Sequence, residues 1–365
     1  MDVLPAMRDP ESELFSNKTV VRHGAYVNIG QNVLYTTVSL VGMLTQRRRP
    51  VESLLDLGSA MDSAYAAVQR RGVPGELANM VWACSLASDS RGGELLKSLV
   101  TTEPRVIPSG ELGQVLYGLV VGADAFTDDR DAAMAVAGDC AEELSQRFDA
   151  RAGVFRATAR RFPPRRAVLE SRLTHFAAQV YPLHGLTAHC LHTGKSPPEA
   201  IRGVADRIVE AQGSQGQWWW LYSSRRRTVI EGYPVYSVHQ DGMAILGLAK
   251  LRELGIGDYG EPLARGLEWI NGANELGVKI AGGDPPLINR CIQRVGSHAD
   301  RAYGISRSNL VRAFARSALP MVGGDRIQVD PARLEVLCEC RSYHLGWLLY
   351  ADSLVNGRAG AGSAS

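Results

Sequence analysis

A glycine set between large residues recurs along this chain, at Val41-Gly42-Met43, Tyr117-Gly118-Leu119, His184-Gly185-Leu186, Leu246-Gly247-Leu248 and Leu345-Gly346-Trp347. Each lies in a stretch of helical apolar spacing, where glycine costs about 0.5–1 kcal/mol relative to alanine. Glycine persists in such a place when a second backbone approaches too closely for a Cβ. Val81-Trp82-Ala83-Cys84 supplies a sixth position, with alanine replacing glycine. Six close-packed helices alternating with helices that lack the signature predict a ring of helical hairpins. The intervals are uneven, so the repeat is degenerate and has no fixed solenoid period.

Apolar spacing of the same kind covers most of the chain, as in Val33, Leu34, Val38, Val41 and Leu44, followed by Leu54, Leu55, Leu57, Ala60, Met61 and Tyr65. Breakers fall between such stretches at Arg49-Pro50, Gly72-Val73-Pro74, Gly92-Gly93, Pro108-Ser109-Gly110, Pro163-Pro164, Pro197-Pro198, Gly282-Gly283 and Gly323-Gly324. Twelve helices are predicted, over about 29–46, 51–71, 75–88, 92–101, 109–125, 130–149, 171–193, 197–212, 237–254, 258–274, 304–319 and 341–355. Strand signals are confined to 216–236 and 327–337, which read as hairpins or extended loops at one rim. At 365 residues the chain exceeds an ordinary single core, and the repeats favour one large domain over two. The expected division is an extended segment over 1–28, one helical domain over 29–356 and a flexible tail over 357–365.

Gln212, Gly216 and Trp218 stand in the order Q-x-x-x-G-x-W. This resembles the QW repeat of squalene-hopene and oxidosqualene cyclases, in which it ties an outer helix of an α/α toroid to the next hairpin. The resemblance implies an all-α, (α/α)6 toroid. That class is shared by terpenoid cyclases, prenyltransferase β subunits and, in a six-hairpin form, glycosidases, polysaccharide lyases and sugar epimerases. The sequence departs from the cyclases' acidic motifs, because the cluster Asp124, Asp128, Asp129 and Asp131 has neither the D-x-D-D nor the D-D-x-x-D spacing.

Forty basic and 38 acidic residues leave a net charge of +2, which provides no general field for nucleic acid or an anionic membrane. Arginines cluster locally at 47–49, 160–166 and 225–227, read as solvated loops or as sites for a phosphate or an acidic sugar. No apolar stretch approaches a membrane span and the first thirty residues lack a secretory h-region, so a cytoplasmic location is expected. Cys84, Cys140, Cys190, Cys291, Cys338 and Cys340 are scattered and read as reduced thiols. The pair Cys338 and Cys340 lacks the gap of a zinc knuckle, and neither a metal nor another cofactor is expected. No motif specifies an oligomeric state.

In a six-hairpin ring the inner helices direct their first turns toward one mouth. Counting seven back from each glycine gives Tyr35, Glu111, Ala178, Gln240 and Glu339, and counting six back gives Thr36, Leu112, Gln179, Asp241 and Cys340. These positions are largely polar at the heads of apolar helices, as a lined cavity or a solvated first turn requires. The stretch from Gln217 to Met243 adds Trp218, Trp219, Trp220, Glu231, Tyr233, Tyr236 and His239. Aromatic faces beside carboxylates suit sugar rings.

Asp241 and Glu339 are the candidate acid and base, with His239 and Tyr236 as further catalytic candidates. Tyr35, Gln179, Tyr181, Trp218, Trp220, Glu231, Tyr233, Gln240, Arg341 and His344 are the candidate substrate contacts. The alternative for the carboxylates is structural, with Asp241 capping a helix and Glu339 paired with an arginine. The expected function is acid-base chemistry on a carbohydrate or glycoconjugate, by hydrolysis or elimination, on a small-molecule or oligosaccharide substrate. A terpenoid-cyclase-like enzyme and a non-catalytic glycan- or peptide-binding toroid are the alternatives.

Overall fold

The computed structural model describes residues 3–46, 57–157, 172–297 and 329–356, and in it the glycine register becomes a closed ring. After a short helix α1 (Val3–Ala6), the larger helices run α2 (Val33–Leu44), α3 (Leu57–Arg71), α4 (Pro74–Ala87), α5 (Gly92–Leu99), α6 (Ser109–Ala125), α7 (Arg130–Arg147), α8 (Ala177–Thr193), α9 (Glu199–Glu210), α10 (Ala244–Leu248), α11 (Gly260–Ile270) and α12 (Ser342–Asn356). The even-numbered helices from α2 to α12 each pack on the next, and α12 packs back on α2. Outside them, α3 lies on α2 and α4, α5 on α4 and α6, α7 on α6 and α8, and α9 on α8. This is an all-α, (α/α)6 toroid carrying short strands. The outer helix expected over 304–319 lies outside the described residues, as do the start of the 51–71 prediction, the breakers at Arg49-Pro50, Pro163-Pro164 and Gly323-Gly324, and the 357–365 tail.

The glycines sit where inner helices nearly touch. A Cβ on Gly42 of α2 would lie 2.2 Å from the Gly346 carbonyl oxygen of α12, and one on Gly346 would lie 2.4 Å from the Val38 oxygen. On α6, Gly113 meets the Tyr181 backbone of α8 at 2.3 Å, and Gly185 meets the Gly113 oxygen at 2.5 Å. Such contacts exclude any side chain, so the cost of helical glycine is offset by backbone-to-backbone packing. Local signals set the ends: Asn32 caps α2 by accepting from the Tyr35 N–H, Pro74 opens α4, and Gly194 closes α8 in a left-handed conformation.

Among the described residues there are twelve short strands, all pairing antiparallel. Strands β1 (Ser16–Arg22) and β2 (Ala25–Gln31) form a hairpin, and β3 (Phe148–Asp149) pairs with β4 (Val154–Phe155). A three-stranded sheet has the order β5 (Leu173–His175), β6 (Leu221–Ser223), β7 (Val229–Glu231). A second has β8 (Val235–Tyr236) and β12 (Leu334–Leu337) on either side of β11 (Cys291–Arg294), and β9 (Ala281–Gly282) pairs with β10 (Leu287–Ile288). Strands β2, β5, β8 and β12 run directly into the N-terminal ends of α2, α8, α10 and α12, which places the strands at the mouth.

Two expectations change in detail. The segment 1–28 is not simply extended, since α1 and the β1–β2 hairpin occupy it and a boundary at 28 falls within β2. The hairpin follows from His23 and Gly24, both at positive φ (51° and 74°), a turn chemistry that the helical reading passed over. The helix expected over 237–254 is divided into a π-helical turn (His239–Met243), α10 and a 3-10 turn (Leu251–Leu254).

Candidate active site

The first turns of α2, α8, α10 and α12 and the strands β5, β8 and β11 bring one polar cluster together at the mouth. The π-helical turn before α10 closes when the Ala244 N–H bonds the His239 carbonyl. Such turns add a residue to the helical circuit and occur frequently at functional sites. Here the turn carries His239 and Asp241, and Gly242 within it packs against Trp347 of α12.

Asp241 and His344 form a buried pair, each 3% exposed. The His344 Nε2 lies 2.8 Å from one Asp241 carboxylate oxygen and 2.9 Å from the other. An ionised carboxylate only accepts, so Nε2–H is the donor, and the neutral ring then carries its lone pair on Nδ1. His239 stands beside this pair, its ring 4.6 Å from Phe176 and 5.2 Å from Tyr236. Burial lowers its pKa to about 3, against a bond to the Trp218 backbone that acts in the other direction. Among the described residues its Nδ1 is buried without a hydrogen-bond partner. His175 at the end of β5 accepts from the Ala178 N–H at Nδ1 (3.2 Å), and burial lowers its pKa to about 4. Its charge would oppose that of His239, as would that of His344. His175 and His239 are therefore neutral near pH 7.

Glu339 has the arginine environment foreseen as its structural alternative. Its Oε1 accepts from Arg341 Nε (3.1 Å) and Nη2 (2.8 Å) and from Arg290 Nη1 (2.6 Å), and Lys18 Nζ lies 3.6 Å from Oε2. The residue is 3% exposed, so this is one buried carboxylate with three cations on it. Arg290 also lies over the Tyr236 ring, 5.4 Å from its centroid.

Four tyrosines complete the cluster. The rings of Tyr35 and Tyr343 are 4.4 Å apart, and the Tyr181 hydroxyl accepts from Trp347 Nε1 at 3.0 Å. Burial raises the pKa of Tyr181, Tyr236 and Tyr343, with Tyr35 contributing in each case. Tyr35, Tyr181 and Tyr343 nevertheless keep part of their surface accessible, as do Trp220, His175 and Arg290. Partial access together with heavy desolvation fits the walls of a recess.

The other predicted contacts serve the frame around the recess. Gln179 bonds the Phe155 N–H (2.8 Å) and Phe155 carbonyl (3.1 Å), joining β4 to α8. Gln240 accepts from the Trp218 N–H (3.0 Å), and Trp218 itself is fully buried. Tyr233 donates to Glu275 (2.6 Å), which also takes bonds from Gln217 and Trp269. Glu231 pairs with Arg294 (3.2 Å). Gln212 bonds the Gly216 and Pro262 carbonyls (3.0 and 2.8 Å), tying the end of α9 to α11. Arg225, Arg226 and Arg227 form the exposed turn between β6 and β7, whereas the clusters at 47–49 and 160–166 lie outside the described residues.

Four cluster members escaped sequence reasoning: His175, Arg290, Tyr343 and Lys18. Three of them come from strands or strand ends, which a count along helices does not reach. Tyr343 precedes His344 and was findable, had the mouth of α12 been set at its actual start rather than seven residues before Gly346.

Deeper in the ring the axis is filled by aromatic rings. Trp82 of α4, Tyr117 of α6, His184 of α8 and Tyr350 of α12 meet at centroid distances of 4.4 Å (Trp82–Tyr117), 3.9 Å (Tyr117–His184) and 4.7 Å (Trp82–Tyr350). The Tyr117 and Tyr350 hydroxyls are 3.3 Å apart across the ring, and His184 Nε2 is 3.1 Å from the Tyr350 hydroxyl. A separate apolar recess of about 190 Å³, lined by Val3, Leu4, Leu287, Leu345 and Leu348 among others, contains no ionisable side chain. Among the described residues no set of three or more His, Cys, Asp or Glu side chains is arranged to hold a metal, and no helix is long and apolar enough to cross a membrane.

No protein-family model matches the chain, and no curated protein matches it. Solved structures do. A sugar epimerase from a ruminal bacterium superposes with a TM-score of 0.57 at 9% identity, over 97% of this chain and 95% of that one. A polysaccharide lyase gives 0.49 at 10% identity, over 91% of each chain. The unsaturated glucuronyl hydrolase of Bacillus sp. GL1 gives 0.44 at 15% identity, over 98% and 94%. The likeness is one of fold: this chain is built as an α/α toroid, the architecture of those enzymes.

Proposed function

We propose that this protein is a carbohydrate enzyme that moves a proton to and from a sugar carbon next to a carbonyl or carboxylate, by epimerisation or elimination. The carrying observation is the Asp241–His344 pair beside the neutral His239, on the π-helical turn before α10 and the first turn of the adjacent α12. Asp241 fixes the proton on His344 Nε2, leaves Nδ1 as the basic atom and stabilises the imidazolium formed when Nδ1 takes a proton. His239 Nδ1 is a second neutral acceptor, and Tyr236 is a phenol able to donate. In epimerisation one imidazole removes the carbon-bound proton and another acid returns a proton on the opposite face. In elimination the proton is removed in the same way, the bond to the leaving oxygen at the next carbon breaks, and a phenol or imidazolium protonates that oxygen. The toroid of the sugar epimerase is the structural precedent.

Hydrolysis by a carboxylate pair fits less well. Glu339 is held by three cations and both Asp241 oxygens face His344, so neither is placed as a free nucleophile. An isoprenoid substrate fits poorly with a recess whose walls carry Arg290, Lys18 and four phenols.

The test is proton exchange. The protein is incubated in deuterated water with reducing sugars and with uronate-containing oligosaccharides, and the products are read by NMR and by ultraviolet absorbance for an unsaturated acid. Deuterium at the carbon beside the carbonyl, or an unsaturated product, is expected, and His344→Ala is expected to abolish it. New reducing ends without either signal would show hydrolysis and overturn the reading. Sugar binding without turnover would leave a lectin-like toroid.

A further inference from the structure

Within the proton-transfer reading, on which this inference rests, we propose that the substrate is a sugar carrying a carboxylate and that Arg290 is the residue that recognises it. Arg290 does not come from an inner helix. It enters the mouth from the start of β11, where the Ser237 N–H bonds its carbonyl, and its side chain remains 16% exposed. Three features around it point to an anion.

Glu339 orients the guanidinium by accepting from Nη1, and the Tyr236 ring supports its plane, so the group is held in place before any ligand arrives. A fixed planar fork is the geometry that suits a carboxylate, which it can bind through two parallel hydrogen bonds. Tyr236 and Tyr343 interact electrostatically with Arg290, and burial keeps both phenols protonated. Lys18 and Arg341 lie on the same carboxylate, and the first turns of the longer helices α2, α8 and α12 add positive potential of their own. His239 Nδ1, buried and without a hydrogen-bond partner among the described residues, supplies the imidazole acceptor of the same cluster.

The chemistry gives the arrangement its use. A carbon-bound proton beside a carboxylate becomes more acidic when the developing enolate charge is shared with a cation. A guanidinium on the carboxylate next to a neutral imidazole on the proton provides both halves of that step. The electrons of the broken C–H bond move into the carboxylate system, and the proton passes to the imidazole nitrogen.

Binding tests this separately from turnover. Uronate-containing disaccharides of several linkages and their carboxyl-reduced counterparts, which differ only at that group, are titrated against the full chain by calorimetry. At least one uronate is expected to bind about 10- to 100-fold more tightly than its reduced partner, the value of a charge-assisted hydrogen bond. Arg290→Met should remove the difference and Arg290→Lys should restore part of it, with circular dichroism confirming that both variants are folded. Equal binding of each pair, failure of every uronate to bind, or an unchanged preference in a folded Arg290→Met protein overturns the inference. Deuterium exchange on neutral sugars alone would keep the proton-transfer reading and remove this one. Uronate-selective binding with no exchange or elimination would do the reverse.

Discussion

Both oxygens of Asp241 face a single imidazole nitrogen, and this sets the most direct expectation at the scale of single residues. Asp241→Asn keeps the shape and removes the charge that fixes the His344 tautomer. Turnover in the exchange assay is expected to fall by roughly 10²–10⁴ with little change in KM, since the loss falls on the proton-transfer step. A Glu339→Gln substitution acts elsewhere: it loosens Arg290 and Arg341 and is expected to raise KM more than it lowers kcat. Equal effects on both constants from both variants would remove the division of roles. Asp241 was legible because helical register places first-turn residues at one mouth, and His344 because an imidazole near a carboxylate suits proton abstraction. Arg290 and His175 were not, because a strand end reaches the same mouth without leaving a periodic trace. Gln179 and Gln240 were found as polar residues at helix heads, but the backbone groups of Phe155 and Trp218 take their side chains.

At the scale of elements, the ring is set by how closely its helices approach. Gly42→Ala would place a methyl 2.2 Å from the Gly346 oxygen, forcing α2 and α12 apart, and is expected to cost at least about 2 kcal/mol in denaturant unfolding. Gly138 in the middle of α7 has no atom of the described residues within 4 Å of its missing Cβ, so Gly138→Ala should stabilise by up to about 1 kcal/mol. A result in which the two substitutions behave alike would mean that the close approach does not govern stability. The alternation of inner and outer helices was readable because it is a packing constraint written as residue size. The rim strands were harder to see, since most are only two to four residues long and depend on partners distant in sequence, as β11 does on β8 and β12. The π-helical turn left no signature either, because the same residues fit an ordinary helix until the ring demands one more per circuit.

For the whole molecule, burial of neutral histidines ties stability to pH. His239 titrates near pH 3 in the fold, and burial lowers His184 well below its ordinary value of 6.5. Between those folded values and about 6.5 the unfolded chain binds more protons, so stability is fully present above pH 6.5 and is lost as the pH falls. Each such group contributes a slope of about 1.4 kcal/mol per pH unit below 6.5. Urea unfolding from about pH 8 to about pH 5 checks this, and a midpoint that stays constant over that interval would contradict it.

The aromatic layer beneath the mouth has a consequence for traffic. Because the Tyr117 and Tyr350 hydroxyls meet across the ring, the toroid is a cup with a floor and not a sleeve. A polymer cannot be threaded through it or processed by sliding along the axis. It must either dip one end into the cup or lie over the lip, and whatever is released has to leave by the opening through which the substrate came in.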